Sequence, residues 1–163
     1  MTNKTTEKVS TRKTQEKPLK IKIKKLHPNA IIPTHHSQEA VGADLTLIKD
    51  ITLTNLNTTS PTIVGLGIAL EIPKGYHAKI FLRSSIGAKT HIRLANGTGI
   101  IDSDYRGELK LILEYHARGN ITLRKGMRIA QMIIEKNIPT QYIETQELNT
   151  TPRGEKGIGS TGI

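Results

Sequence analysis

Apolar and polar residues alternate along most of this chain with a period of two. In "LKIKIKKL" (19–26), Leu19, Ile21 and Ile23 alternate with lysines. That is the pattern of a half-buried strand whose charged face discourages edge-to-edge association. Similar runs recur at "ADLTLIKDITL" (43–53), "TIVGLGIALEI" (62–72), "HAKIFL" (77–82), "ELKLILEY" (108–115), "NITL" (120–123) and "MRIAQMII" (127–134). Turn signals separate them: Pro61, Pro73-Lys74-Gly75, Gly119-Asn120 and Lys125-Gly126. Only "SSIGAKTHI" (84–92) has the makings of a turn or two of helix. There is no repeat of roughly 20–50 residues and no βαβ rhythm. The pattern predicts an all-β domain, a sandwich, jelly roll or barrel, with isoleucine dominating its core. One Phe, four Tyr and no Trp leave that core thin, so association between chains is an expected source of further burial.

Composition narrows the class. The 163 residues are about one domain's worth. Residues 1–17 carry only Met1 and Val9 as apolar side chains and are expected to be a disordered basic tail. The β domain should then occupy 18–150, with a flexible glycine-rich segment over 151–163. The absence of cysteine excludes a disulfide framework, a thiolate metal site and a thiol nucleophile. No apolar run reaches the roughly 18 residues of a membrane span, and no signal-peptide core is visible. An intracellular protein, cytoplasmic or nuclear, is expected. The formal net charge of +10 is uneven: residues 1–25 hold nine Lys or Arg against two Glu, and the remainder hold fifteen against twelve. Such an excess can be a solvated tail, or can touch nucleic acid or an anionic surface without sequence preference. The scarcity of aromatics argues against a platform on which single strands stack.

Several polar islands interrupt the strand pattern. "ANGTGIIDSDYRGEL" (95–109) joins glycines to an apolar pair, two acids, a tyrosine and an arginine, more than a plain turn or a plain core strand requires. Arg83-Ser84-Ser85 stands where a strand meets the helical candidate, a place for an N-cap or for an anion. Gln131 interrupts an apolar run; it either faces solvent or needs a ligand or network, because an unpartnered buried amide costs about 1–3 kcal/mol. The C-terminal "TPRGEKGIGSTGI" is a frayed tail or a set of phosphate-wrapping N–H groups with Arg153, Ser160 and Thr161. P-loop and Rossmann fingerprints are absent. The six histidines show no metal-ligand spacing, and His35-His36 reads as an exposed loop pair.

Taken in order, "VGADL" (41–45), "RSS" (83–85), "NGTGIIDSDYRGE" (96–108), "GMRIAQMI" (126–133) and "RGEKGIGSTG" (153–162) resemble the five motifs of the trimeric dUTPase family. The combination of IDSDYRGE, RIAQ and terminal GSTG is specific. The resemblance implies a distorted jelly-roll homotrimer that hydrolyses dUTP to dUMP and pyrophosphate with Mg2+, keeping uracil out of DNA. It implies Asp102 as the general base for the attacking water. An aspartate is a weak base at neutral pH and suffices only when cations take up charge on the phosphates. Backbone groups of Gly97, Thr98, Gly99 and Ile100, braced by Asn96, would read the uracil edge, and Tyr105 would pack under deoxyribose and exclude a ribose hydroxyl. Arg83, Ser84, Ser85 and Gln131 would meet the phosphates, with Asp44 bracing Arg83 near the water shell of the metal. A C-terminal lid from a third chain would bring Arg153, Gly159, Ser160 and Thr161 to the γ-phosphate.

The chain departs from the family pattern in places. Ile158 stands where the lid usually has a Phe over uracil, and offers apolar area without a π face. Glu155-Lys156 replaces glycine-rich sequence. Ser85 stands where Gly is common, as in the related dCTP deaminases, which lack this terminal segment. A deaminase-like activity and a non-catalytic trimeric regulator are therefore the alternatives.

Overall fold

The structure is a computed structural model that describes residues 17–55 and 60–157. Ten strands and one short helix follow in order: β1 (Lys22–Lys25), β2 (Ala43–Thr46), β3 (Ile51–Thr54), β4 (Thr62–Glu71), β5 (Tyr76–Leu82), α1 (Ser84–Lys89), β6 (Ile92–Leu94), β7 (Gly99–Ile101), β8 (Glu108–Tyr115), β9 (Asn120–Leu123) and β10 (Arg128–Lys136). They form two four-stranded sheets, ordered β1-β4-β8-β6 and β2-β10-β5-β7, and a two-stranded ribbon β3-β9. The all-β expectation holds, and the strand order, with its non-consecutive neighbours, is that of a jelly-roll-like fold.

Period-two alternation is realised most cleanly on β8. Leu109, Leu111, Leu113 and Tyr115 point inward and are buried, while Glu108, Lys110, Ile112 and Glu114 face out. Side chains from both sheets merge into one core that includes Leu45, Val64, Leu66, Ile80, Leu111 and Ile129. Each such side chain contributes about 1.5–3 kcal/mol by leaving water. The core is not isoleucine-dominated: ten leucines against seven isoleucines are buried among the described residues. Several isoleucines sit outside it, with Ile63 and Ile100 left 65% and 62% exposed. β-Branched side chains suit pleated, half-buried surfaces as well as full burial, so isoleucine abundance marks strands better than it marks the core.

Strand β4 is interrupted where its register with β8 shifts between Gly65 and Ala69. Gly67 adopts φ +68 there, and its N–H donates to Glu108 Oε1 at 2.8 Å. The polar end of the 96–108 segment thereby pins a bulge in the neighbouring strand.

The run 43–53 divides into β2 and β3 because Asp50 leaves the strand and closes the turn before β10. Its carboxylate accepts from the Lys125 N–H at 2.8 Å and from Arg124 Nη1 at 2.8 Å. These hydrogen bonds hold its carboxyl below the usual range near 3.9. A depressed folded-state pKa gives stability that is present above the unfolded value and is lost as pH falls through the folded one. Asp50→Asn is therefore expected to flatten the fall in Tm below about pH 4; parallel thermal melts across acid pH measure it.

Among the described residues regular structure ends at Lys136, and 137–157 are exposed without helix or strand.

Candidate active site

Two surface hollows collect most of the candidate residues. The first lies where β2, β10 and the end of β5 meet. Antiparallel pairing sets Asp44 opposite Gln131, and Gln131 opposite Phe81. Arg83 follows β5 directly, tied down by its N–H to the Ile129 carbonyl at 3.0 Å. The hollow, about 340 Å³, is lined by Gly42, Asp44, Arg83, Ser84, Gln131 and His36 among others. An added Cβ at Gly42 would come 2.5 Å from Gln131 Oε1 and 3.2 Å from Gln131 Cβ, so any side chain there would displace the Gln131 amide. Ser84 and Ser85 open α1 with Arg83 at the N-cap position, and the cap makes no side-chain hydrogen bond. Both hydroxyls remain exposed.

Asp44 is the organising charge. It is only 9% exposed, so its carboxylate needs compensation. Arg83 Nε lies 3.3 Å from Oδ1, and Arg128 Nη1 lies 3.1 Å from Oδ2. His36 Nε2 reaches the same Oδ2 at 3.2 Å and also meets Arg128 Nη1. His35 and His36 are exposed, as expected of a loop pair, yet His36 turns into the hollow. The Thr34–Asp44 bridge folds its loop back onto β2. Nothing in the spacing of His36 or Arg128 along the chain signals this convergence, which depends on the register of β2 against β10.

The second hollow surrounds the glycine-jointed segment. β6 belongs to one sheet and β7 to the other, so residues 95–98 bridge the sheets. The crossing is tight: Gly97 donates to the Leu94 carbonyl at 2.9 Å with φ +65, a conformation that favours glycine. Gly99 lies against Ile80, whose Cβ would be 3.2 Å from an added Cβ. Asn96, Gly99, Ile100, Asp102 and Tyr105 line this hollow of about 320 Å³, with Ile63 and Ile112 as its apolar wall. The Tyr105 hydroxyl donates to the Glu108 carbonyl at 3.1 Å. Its ring lies over Gly107, where a Cβ would come 2.3 Å from that hydroxyl. Asp102 also faces a neighbouring hollow with Lys74, Asp104 and Arg106.

The two hollows are far apart within one chain. β2 and β7 are opposite edges of one sheet, three strand spacings or about 14 Å across. Along the strands, Asp44 shares a row with Phe81, whereas Ile101 pairs with Ala78 and Asp102 follows it. That adds about 14 Å, for a separation of roughly 20 Å. Arg153 joins neither hollow; its Nε donates to the Lys156 carbonyl at 3.0 Å within the terminal segment. Ile158, Gly159, Ser160 and Thr161 lie outside the described residues.

The dUTPase family model matches residues 28–162. A deoxyuridine 5'-triphosphate nucleotidohydrolase of Nautilia profundicola is 41% identical over 144 residues, which cover 88% of this chain and 99% of the relative. One from Helicobacter hepaticus is 37% identical over 147 residues, with 90% and 91% covered. Among solved structures, the dUTPase of Staphylococcus bacteriophage 80alpha with dUPNHPP superposes with a TM-score of 0.80 at 25% identity, covering 88% of this chain and 99% of that one. A mutant dUTPase of S. aureus phage phi11, described with a structural Mg(II) ion, gives 0.71 at 20% identity, with 78% and 97% covered. The family match spans both hollows and reaches into the terminal segment, and the relatives align over nearly their full length, so the chain belongs to the dUTPase family.

Proposed function

We propose that this dUTPase converts dUTP to dUMP and pyrophosphate, and so keeps uracil out of DNA, in a homotrimer whose sites are shared between chains. The roughly 20 Å that strand spacing and register put between Asp44 and Asp102 carries the reading. One dUTP cannot meet Asp102 and the Arg83–Gln131 hollow of the same chain at one phosphorus. The contents of the hollows are complementary: a base-reading backbone with a carboxylate in one, hydroxyl, amide and guanidinium donors in the other. A second chain brings them together, and the exposed apolar Ile63, Ile100 and half-buried Ile112 beside Asp102 supply area for such contact.

Asp102 takes the proton of a water whose oxygen forms the new bond to the α-phosphorus. The bond from that phosphorus to the bridging oxygen breaks, and pyrophosphate leaves. Backbone donors and acceptors of residues 97–100 hold the uracil edge, with Asn96 bracing them. Tyr105, held over Gly107, closes the space a ribose 2′-hydroxyl would need. Ser84, Ser85 and Gln131 meet phosphate oxygens, while Arg83, steadied by Asp44, offsets the charge that develops on them. Ile158 covers the base, and Arg153, Gly159, Ser160 and Thr161 close over the γ-phosphate.

Mg2+ fits this arrangement as an ion carried by the substrate. Asp44 is the one carboxylate lining the phosphate hollow, and both its oxygens already face arginines. Among the described residues no group of three or more His, Asp or Glu could hold an ion. Triphosphate oxygens and waters would be its ligands, with Asp44 reaching it through water. When bound it neutralises phosphate charge.

Offered dUTP, dCTP, dTTP and UTP separately with Mg2+, the protein is expected to turn over dUTP alone. A site that hydrogen-bonds one base edge rejects a mismatched pattern by about 10⁴-fold. Conversion of dCTP would move the chain to the deaminase branch, and turnover of none of the four would favour the non-catalytic alternative.

A further inference from the structure

β1 is an edge strand, and residues 17–25 hold five lysines and no acid. Half of the formal net charge of +10 thus sits in nine residues, whereas residues 1–16 hold four Lys or Arg against two Glu. Three of these five lysines stand on the edge strand itself and two just before it. All five lysines are exposed, while Ile21 and Ile23 are partly buried between them. Alternation along β1 therefore sets Lys22 and Lys24 on the outer face, about 6.8 Å apart, with Lys20 exposed just before the strand. Only Lys22 has an acidic partner among the described residues, Glu71 at 2.8 Å. Lys22 and Lys24 share a surface hollow with Arg106. The Glu71 carboxyl is held below its usual range by the Lys22 hydrogen bond and charge, with Arg106 adding to them, so the field is positive even at the one acid.

We infer that this lysine-bearing edge, with Arg106 at its border, docks the phosphate backbone of a nucleic-acid duplex. The lysine spacing of about 6.8 Å equals the axial rise of two nucleotides in one strand of a duplex, about 3.4 Å each. Lysines offer point charges that follow a backbone without reading bases. Residues 17–25 contain no aromatic side chain on which an unpaired base could stack. Protection of the sheet edge also favours lysine on β1, so salt-dependent binding is what separates the two roles.

The full chain, titrated onto a labelled DNA duplex between about 50 and 200 mM salt, tests this by fluorescence anisotropy. Wild type is expected to bind with an affinity that falls linearly on a log–log plot. Combined Lys20→Glu, Lys24→Glu and Lys25→Glu should weaken binding at least tenfold, with a slope shallower by about 3. dUTP turnover and elution volume should not change. If the triple Glu variant misfolds, Gln at the same positions should make the slope shallower by the same amount. Salt-independent binding, unchanged binding in the variants, tighter binding to single-stranded oligo(dT), or binding to phosphatidylserine vesicles but not to duplex would each overturn the assignment.

Discussion

Asp102→Asn is expected to lower kcat for dUTP on the order of 10²–10⁴-fold, the range a positioned general base contributes, while KM moves little. The substitution is nearly isosteric, so it removes the proton acceptor and leaves the shape. It also leaves the local backbone bond intact, because the Tyr105 N–H donates to the main-chain carbonyl of residue 102 at 3.2 Å, not to its carboxylate. Asp102 makes no ion pair among the described residues, so no cation is stranded by the change. Steady-state kinetics with pyrophosphate release separates the outcomes. A matched loss in kcat and kcat/KM marks an interaction made only in the transition state. A raised KM with unchanged kcat would show Asp102 to be a binding group, and would move the base elsewhere in the hollow.

Asp102 stands out in the sequence because its neighbours are unusual, while its role as base is what the family resemblance implies. Acids following an apolar pair, beside glycine and tyrosine, make poor core and excessive turn. Strands β8 and β9 were equally plain, since strict alternation with buried leucine faces leaves one register for each. β6 and β7, three residues each, are too short for a period to show; β6 begins at Ile92, inside the run 84–92 that reads as helical, and β7 lies in the segment that reads as polar. Convergence on Asp44 was only partly legible. Arg83 and Gln131 could be named, but His36 and Arg128 join through the pairing of β2 with β10 and the Thr34 bridge, which no local pattern encodes. Isoleucine misled for a related reason: its stiff, branched side chain suits a pleated, half-buried surface, and full burial is decided by which face meets the other sheet.

The split between the hollows leads to the second large effect. Asp102→Asn disables the base half and Arg83→Ala the phosphate half, and each homotrimer alone is expected to be nearly inactive. Arg83→Ala leaves Asp44 with Arg128 and His36 still in contact, so the buried carboxylate keeps partners and the chain should fold. If one site takes Asp102 from one chain and Arg83 from another, subunits of the two variants that are unfolded together and refolded as mixed trimers regain intact sites. With random assortment each half is intact with probability about one half, so about a quarter of wild-type activity should return. Mixing the two preformed homotrimers without unfolding should restore little until subunits exchange. Sites built within a single chain could give no recovery at any mixing ratio, because every chain would carry one broken half. The quarter is thus a direct count of how the halves are distributed. It would appear in kcat per chain and not in KM, because each restored site contains only wild-type groups at its two working surfaces.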